Sequence, residues 1–172
     1  MPPTADQFRE AVSRFATGIT VVTCVSDGLD HAMTANAFAS VSLEPLLVLV
    51  SVERESRFHG AVTTAGAWGV SILRSGAEPT ARWLATKGRP LPGQLDRVGH
   101  HRSPTLDVAW IDDNLAAMEC RTVETVKAGD HDILVGEVQS IELSDQPDDV
   151  AGLDPLLHYR RRYRRLPGQV PA

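Results

Sequence analysis

The spacing of hydrophobic and polar positions changes repeatedly along the chain, and each change marks an element. Thr4 followed by Gln7 has the spacing of a capping box, in which each side chain meets the other residue's free backbone N–H. Phe8, Val12 and Phe15 then recur at helical spacing, with Ala11 beside them and Asp6, Arg9 and Glu10 opposite. An amphipathic helix of about three turns, stopped at Gly18, is predicted. Ile19 to Val25 is β-branched and apolar, and Asp27-Gly28 supplies the turn before a second strand from Leu29. Leu46-Leu47-Val48-Leu49-Val50-Ser51-Val52 is apolar at nearly every position, the pattern of a strand covered on both faces, and predicts a central place in a sheet.

Further along, Ser56 is placed to cap a short helix through about Thr64, and Ala67 to Leu73 returns to strand character. Glu78 to Thr86 reads as a helix with Trp83 and Leu84 facing inward, ended by Gly88. From Gly88 to about Thr105 the chain turns to Pro, Gly, Arg and His without a period, which predicts a long surface loop covering a site or a partner. Asp112-Asp113-Asn114 marks a turn, and the stretches Leu115 to Val126 and Asp130 to Leu143 form a hairpin across Lys127-Ala128-Gly129-Asp130. Strands outnumber helices and no solenoid-length repeat occurs, so the fold class is mainly β with short helices, a barrel or curled sheet.

Length and charge narrow the functions. At 172 residues the chain is sized for a single domain spanning residues 1–172, and 42% hydrophobic residues are enough for a core. Lys and Arg number 17 against 22 Asp and Glu, the wrong sign for a chain whose task is neutralising nucleic-acid phosphates. Leu46 to Val50, the longest apolar stretch, falls far below the ~20 residues of a membrane-spanning helix. The first ten residues lack the basic and then apolar segments of a secretion signal, so a cytoplasmic protein is expected. Cys24 and Cys120 each lie in an apolar run with no Cys or His at ligand spacing, which makes them small buried hydrophobes and leaves no metal site expected. His100-His101 fall in the irregular loop as exposed imidazoles. The glycine-rich Rossmann and Walker cradles are missing, as is a Gly-x-Ser-x-Gly elbow, so any nucleotide is held another way and nucleophilic hydrolysis is disfavoured.

Four segments carry candidate chemistry. Met33 to Pro45 is a run of small, hydroxyl and amide residues ahead of the apolar strand; its backbone N–H groups and the Thr34, Asn36, Ser40 and Ser42 side chains suit the polar edge of a flat heterocycle, or else cap a barrel end. In an extended Ser51 to Arg57, Arg54 and Ser56 share one side and Glu53 and Glu55 the other, an anion site facing a helix N-terminus or a solvated turn. His131 stands at a hairpin tip, either completing the turn or donating to a carboxamide, with Asp130 limiting its tautomer. His158 to Arg165 gathers five arginines and two tyrosines, a solvated face or an electropositive rim for a dinucleotide.

Taken together, Phe15-Ala16-Thr17-Gly18-Ile19-Thr20-Val21-Val22-Thr23, Met33-Thr34-Ala35-Asn36-Ala37-Phe38 with Ser40-Val41-Ser42 and Pro45, Gly129-Asp130-His131 and a C-terminal Tyr-Arg-Arg-Leu resemble the flavin reductase family, the small reductase components of two-component flavin-dependent monooxygenases. The resemblance runs from about Phe8 to Leu166, in family order. It implies an FMN-binding split β-barrel, usually a homodimer, that reduces FAD or FMN with NADH or NADPH and passes reduced flavin to a separate flavin-dependent oxygenase. By position, Thr34, Ala35, Asn36, Ser40, Val41 and Ser42 would line the isoalloxazine and ribityl, and Ser51, Arg54 and Ser56 the phosphate. His131 would contact the nicotinamide nucleotide, and Tyr159 and Arg160 through Tyr163 would close over the dinucleotides. Here the chain departs from the family pattern: His158 precedes Tyr159, and Arg161 stands where glycine is common. The competing expectation is a non-catalytic flavin-binding or storage protein on the same barrel, which would keep its flavin on dialysis where a reductase would lose it.

Overall fold

Local turn chemistry builds most of the sheet. In the computed structural model, which describes residues 1–144 and 154–166, β1 (Thr17–Gly18) leads into β2 (Thr20–Ser26). Asp27 and Gly28, at φ 52° and 71°, then return the chain as β3 (Leu29–Ala35). Two central residues at positive φ give the turn the twist that antiparallel strands need. β4 (Phe38–Leu43) and β5 (Leu46–Glu53) follow, then α2 (Arg57–Ala65), β6 (Ala67–Leu73) and α3 (Glu78–Ala85). A small pair, β7 (His100–Arg102) with β8 (Ala109–Ile111), precedes the long hairpin of β9 (Asn114–Ala128) and β10 (His131–Leu143). A last hairpin joins β11 (Leu157–Tyr159) to β12 (Arg162–Arg164), and α1 (Ala5–Val12) opens the chain.

The main sheet has seven antiparallel strands in the order β3-β2-β6-β9-β10-β5-β4. Its two edge strands, β3 and β4, are joined only by Asn36 and Ala37. The sheet therefore curls until its edges meet at a seam, an open barrel of the expected mainly β class. Two cores lie on opposite faces of β2. Val22, Cys24, Val50, Val52, Trp68, Val70 and Leu134 fill the barrel, capped by Phe58 and Val62 of α2; Ile19, Val21, Leu73, Leu84, Ile111 and Leu156 pack outside it with α3. Cys24 and Cys120 are buried hydrophobes as expected, and burial, with Asp30 and Glu119 respectively adding to it, pushes each thiol up to about 12.

Four expectations are corrected. β5 is neither central nor covered on both faces: it lies second from the sheet edge, with buried and half-buried residues alternating. The strands covered on both faces are β2 and β6, nearly all of whose residues are buried, because the β8 segment and α3 form an outer layer over that part of the sheet, with α3 lying mainly against β3. α1 has its capping box but ends at Val12, because Gly18 is drawn into β1 by pairing with β11 instead of closing a helix. Its apolar face, Phe8 and Val12 with Phe15 beyond, is exposed.

The segment 88–105 is packed down. Leu95 and Val98 enter the outer core, buried Gln94 donates to the Asp30 carbonyl, and the Trp83 indole donates to the Gln94 carbonyl at 2.8 Å. His101 belongs to β7, with Nδ1 2.8 Å from an Asp112 oxygen and Nε2 3.0 Å from Glu142, its ring edge-on to Trp110. The Asp112 hydrogen bond is the largest effect on its pKa; burial, the next, lowers it, but with Glu142 also raising it the value lies above the ordinary one. A raised pKa adds stability that is complete below the unfolded value, about 6.5, and is lost as pH climbs through the folded one. The wild type is therefore expected to lose thermal stability slightly over the window just above pH 6.5, an effect kept small by solvent screening. His101→Gln should flatten that slope in melting curves; an unchanged slope would contradict the clasp.

Among the described residues no helix is long and apolar enough to cross a membrane.

Candidate functional site

A cleft of about 550 Å³ opens where the end of β3 faces the start of α2 and the turn after α3. That is within the range of sites that bury small molecules. Ser56 creates its floor by capping α2, its Oγ accepting from the His59 N–H at 3.2 Å, and Gly66 in the left-handed region closes the helix. Ala32, Met33, Phe58 and Leu84 give the cleft an apolar wall, and Arg57, Lys87 and Arg89 a basic one.

The two arginines of the basic wall are held by neutral groups. Arg89 donates to the carbonyls of Thr86 and Ala32 and to the Gln94 side chain, and Arg57 donates to the Arg89 carbonyl at 2.9 Å. Burial, and then the charge of Arg57, lower the Arg89 pKa; the same two causes lower that of His31 on the cleft wall, outweighing Asp27 and Asp30. At pH 7 the His31 imidazole is thus neutral. Two guanidiniums this close repel each other, and an anion between or beside them relieves that cost. Glu53 and Glu55 stand at the mouth, with the Lys87 ammonium 3.8 Å from Glu53. The arrangement suits a ligand with a flat apolar body and an anionic end.

The residues singled out in the sequence fall in different places. Thr34 lines the cleft and donates to the Ala81 carbonyl at 2.7 Å, fastening β3 to α3. Ala35 is buried, its carbonyl accepting from Thr20. Asn36 lies at the seam and donates to Thr17 Oγ1 at 3.3 Å. Ser40, Val41 and Ser42 lie on β4, which pairs with β5 on one side only and is bulged between Ser40 and Ser42. An edge strand leaves backbone N–H and C=O groups free, and a bulge frees more. Ser42 Oγ also accepts from the Glu44 N–H. The seam beside the cleft is thus lined by small residues with free backbone. Ser51 is half-buried within β5 opposite Ile133 and lines neither this cleft nor the next.

Arg54 and Ser56 do not share a side. The chain turns after β5, with the Ser56 N–H donating to the Glu53 carbonyl, instead of staying extended. Ser56 faces the first cleft, while Arg54 faces a second, formed with Glu53, Glu55, His59 and Asp130. His131 starts β10 opposite Glu53, with Nδ1 2.7 Å from Asp130. That hydrogen bond, and the charge of His131, hold the Asp130 carboxyl below its ordinary range. A carboxylate can only accept, so Nδ1 carries the proton that Asp130 receives, which leaves Nε2 as the ring nitrogen available to a ligand.

The C-terminal hairpin packs beside the seam. Thr17, which accepts from Asn36, pairs with His158 through β1 and β11. Tyr163 enters the outer core beneath the Arg82 guanidinium, 4.8 Å from its ring centre, and burial chiefly raises its pKa. The Arg160 side chain covers Tyr159, and its N–H donates to the Ser13 carbonyl. Arg160 and Arg161 both sit at positive φ, 48° and 61°, where a Cβ is strained. Arg161→Gly is therefore expected to raise the unfolding free energy by about 1 kcal/mol, read by urea denaturation; a loss would contradict the strain. Sequence reasoning missed Arg57, Lys87, Arg89 and His31; basic residues flanking a helix cap and the next aperiodic segment were the available signal.

Comparison with known proteins agrees with this geometry. Residues 12–167 match the family model described as a flavin reductase like domain. The reductase component of 4-hydroxyphenylacetate 3-monooxygenase from Thermus thermophilus is 36% identical over 161 residues, covering 94% of this chain and 96% of that protein. An NADH-dependent flavin reductase from Rhodococcus sp is 35% identical, covering 92% and 84%. Among solved structures, BorF, the flavin reductase component of a bacterial two-component tryptophan halogenase, superposes with a TM-score of 0.86 at 38% identity, covering 95% of this chain and 99% of that one. The apolar and basic cleft, the open seam and the histidine at the hairpin tip thus lie in a chain that belongs to the flavin reductase like family.

Proposed function

We propose that this chain, with residues 8–166 as its working domain, reduces FAD or FMN at the expense of NADH or NADPH and releases reduced flavin to a separate oxygenase. The observation that carries the reading is the first cleft, whose apolar and basic walls end at the seam of small residues. The relatives named for their donor specify NADH, which makes NADH the donor to try first. Oxidation of NADH that depends on added FAD or FMN is the expected result; oxidation without flavin, or none with it, would reject the reading. We place the chain in the cytoplasm, where its donor is available.

Flavin, when bound, supplies the hydride acceptor. The chain supplies position and charge. Ser56 and Arg57 hold a phosphate at the α2 N-terminus, whose free N–H groups favour an anion, with Lys87 and Arg89 behind them. Free N–H groups of the Ser40–Ser42 bulge meet the polar edge of the ring, where fixed donors favour added negative charge. His131, its Nδ1 held by Asp130, presents Nε2 to the carboxamide of the nicotinamide. Tyr159, Arg160 and Tyr163 hold the hairpin that borders the seam. His131→Ala should then raise the KM for NADH about tenfold while that for flavin stays within about twofold; the opposite pattern would remove His131 from the donor site.

The proposed assembly is a homodimer. Phe8, Val12 and Phe15 beside the N-terminal helix, and Val41, Leu43 and Leu46 on the β4–β5 edge, expose large apolar side chains that a second copy would cover.

A further inference from the structure

Arg54 and His59, which line the second cleft, both lie against a buried carboxylate that the reading above does not use. Asp132 follows His131 in β10 and points to the interior with Leu134, its side chain 7% exposed. Its Oδ2 accepts from His59 Nε2 at 2.8 Å. Its Oδ1 is buried and accepts no hydrogen bond among the described residues, yet Arg54 Nε stands 3.7 Å away, just beyond reach. A buried carboxylate needs partners on both oxygens. Arg54 is anchored at the same corner through its backbone, whose N–H donates to the Asp130 carbonyl at 3.0 Å, next to His131.

We propose that Asp132, steadied by His59, is a positioning residue that engages the Nε edge of Arg54 and so turns the two terminal nitrogens of that guanidinium outward to grip a phosphate of the nicotinamide donor. The inference rests on the donor reading of His131. Geometry favours the donor over flavin, because Arg54 and His131 share this corner while Ser56 and Arg57 face the other cleft. Arg54 makes no hydrogen bond through its terminal nitrogens to any described residue, and a guanidinium held at Nε still offers a fork for phosphate. Glu53, Glu55 and Asp130 also line the cleft, but the first is half-exposed and Asp130 fully so, and water screens both. A phosphate would meet Arg54 directly, whereas Glu53 and Asp130 act on it across water.

Two donors separate the outcomes: NADH, and dihydronicotinamide riboside, which has the ring but no phosphate. Asp132→Asn is expected to raise the KM for NADH about tenfold with kcat nearly unchanged, to leave the riboside's KM alone, and to weaken NADH binding to the flavin-free chain equally, as read by NADH fluorescence. Arg54→Ala, at an exposed turn that tolerates substitution, should reproduce the split, and the double variant should lose no more than Arg54→Ala alone. If Asp132→Asn does not fold, Arg54→Ala decides. Equal effects on both donors, tighter NADH binding in Asp132→Asn, or a loss that follows FMN relative to riboflavin instead would each overturn the proposal. A wild type without flavin-dependent NADH oxidation would fail the functional reading itself, whereas these patterns in an active wild type fail only the bracket.

Discussion

Replacing Glu119 by Ala should lower the unfolding free energy by about 4 kcal/mol, the sum of four lost partners at about 1 kcal/mol each. Glu119 lies on β9 with no exposed surface. It accepts from Ser103 Oγ at 2.6 Å, from Ser140 Oγ, and from the N–H groups of Thr105 and Leu106. Removing the carboxylate leaves those donors without their acceptor, Ser103 buried and Leu106 and Ser140 half-buried. Glu119→Gln should be nearly as harmful, since its amide turns an NH2 toward groups that also donate. Burial alone would push the carboxyl up, but the hydrogen bonds from Ser103, Ser140, Leu106 and Thr105 outweigh it and hold the pKa below the ordinary glutamate range. A depressed pKa gives stability that is present above the unfolded value, about 4.3, and lost as pH falls through the folded one. Urea denaturation at pH 7 should therefore separate wild type from variant widely, and the gap should narrow in acid below pH 4.3. A loss under about 1 kcal/mol at pH 7 would mean the segment 103–106 is anchored otherwise.

Arg57→Ala should weaken FMN binding by about tenfold or more while changing riboflavin, which lacks the phosphate, by less than about twofold. The side chain is free to act: it is exposed, it lines the first cleft, and among the described residues its one hydrogen bond goes to the Arg89 carbonyl. Removing it also takes away the like charge beside Arg89, and with it the repulsion that a bound anion would relieve. Arg57→Lys keeps the charge but not the fork, and should fall between the two. Quenching of flavin fluorescence on titration reads all three. Equal weakening of FMN and riboflavin would move the phosphate out of this cleft.

What the sequence made legible was what local chemistry decides. The Asp27-Gly28 turn, the Gly129 hairpin and the Ser56 cap are each set by one or two residues, and each formed where expected. What it hid depends on partners distant in the chain. Gly18 has the look of a helix stop, but strand pairing with Leu157 claims it. The apolar run from Leu46 reads as doubly covered, yet whether a second layer lies over it is settled by where α3 packs, and α3 packs over β3 and the adjoining β2. Gln94 and Leu95 are unremarkable letters in a polar stretch until the β3 backbone offers Gln94 an acceptor. The site divides the same way. The small residues at the seam were visible because the run from Thr34 to Ser42 is contiguous, whereas Arg57 and Arg89 meet only through folding.

In the proposed function the cleft between β3 and α2 holds the anionic end of flavin while the seam beside β4 receives its ring. A crystal of the chain soaked with FMN tests it most directly. The phosphate is expected within hydrogen-bonding distance of Ser56 and Arg57, and the ring against the backbone of Ser40 to Ser42. A phosphate seated on Arg54 in the second cleft, or a ring lying away from the seam, would contradict it.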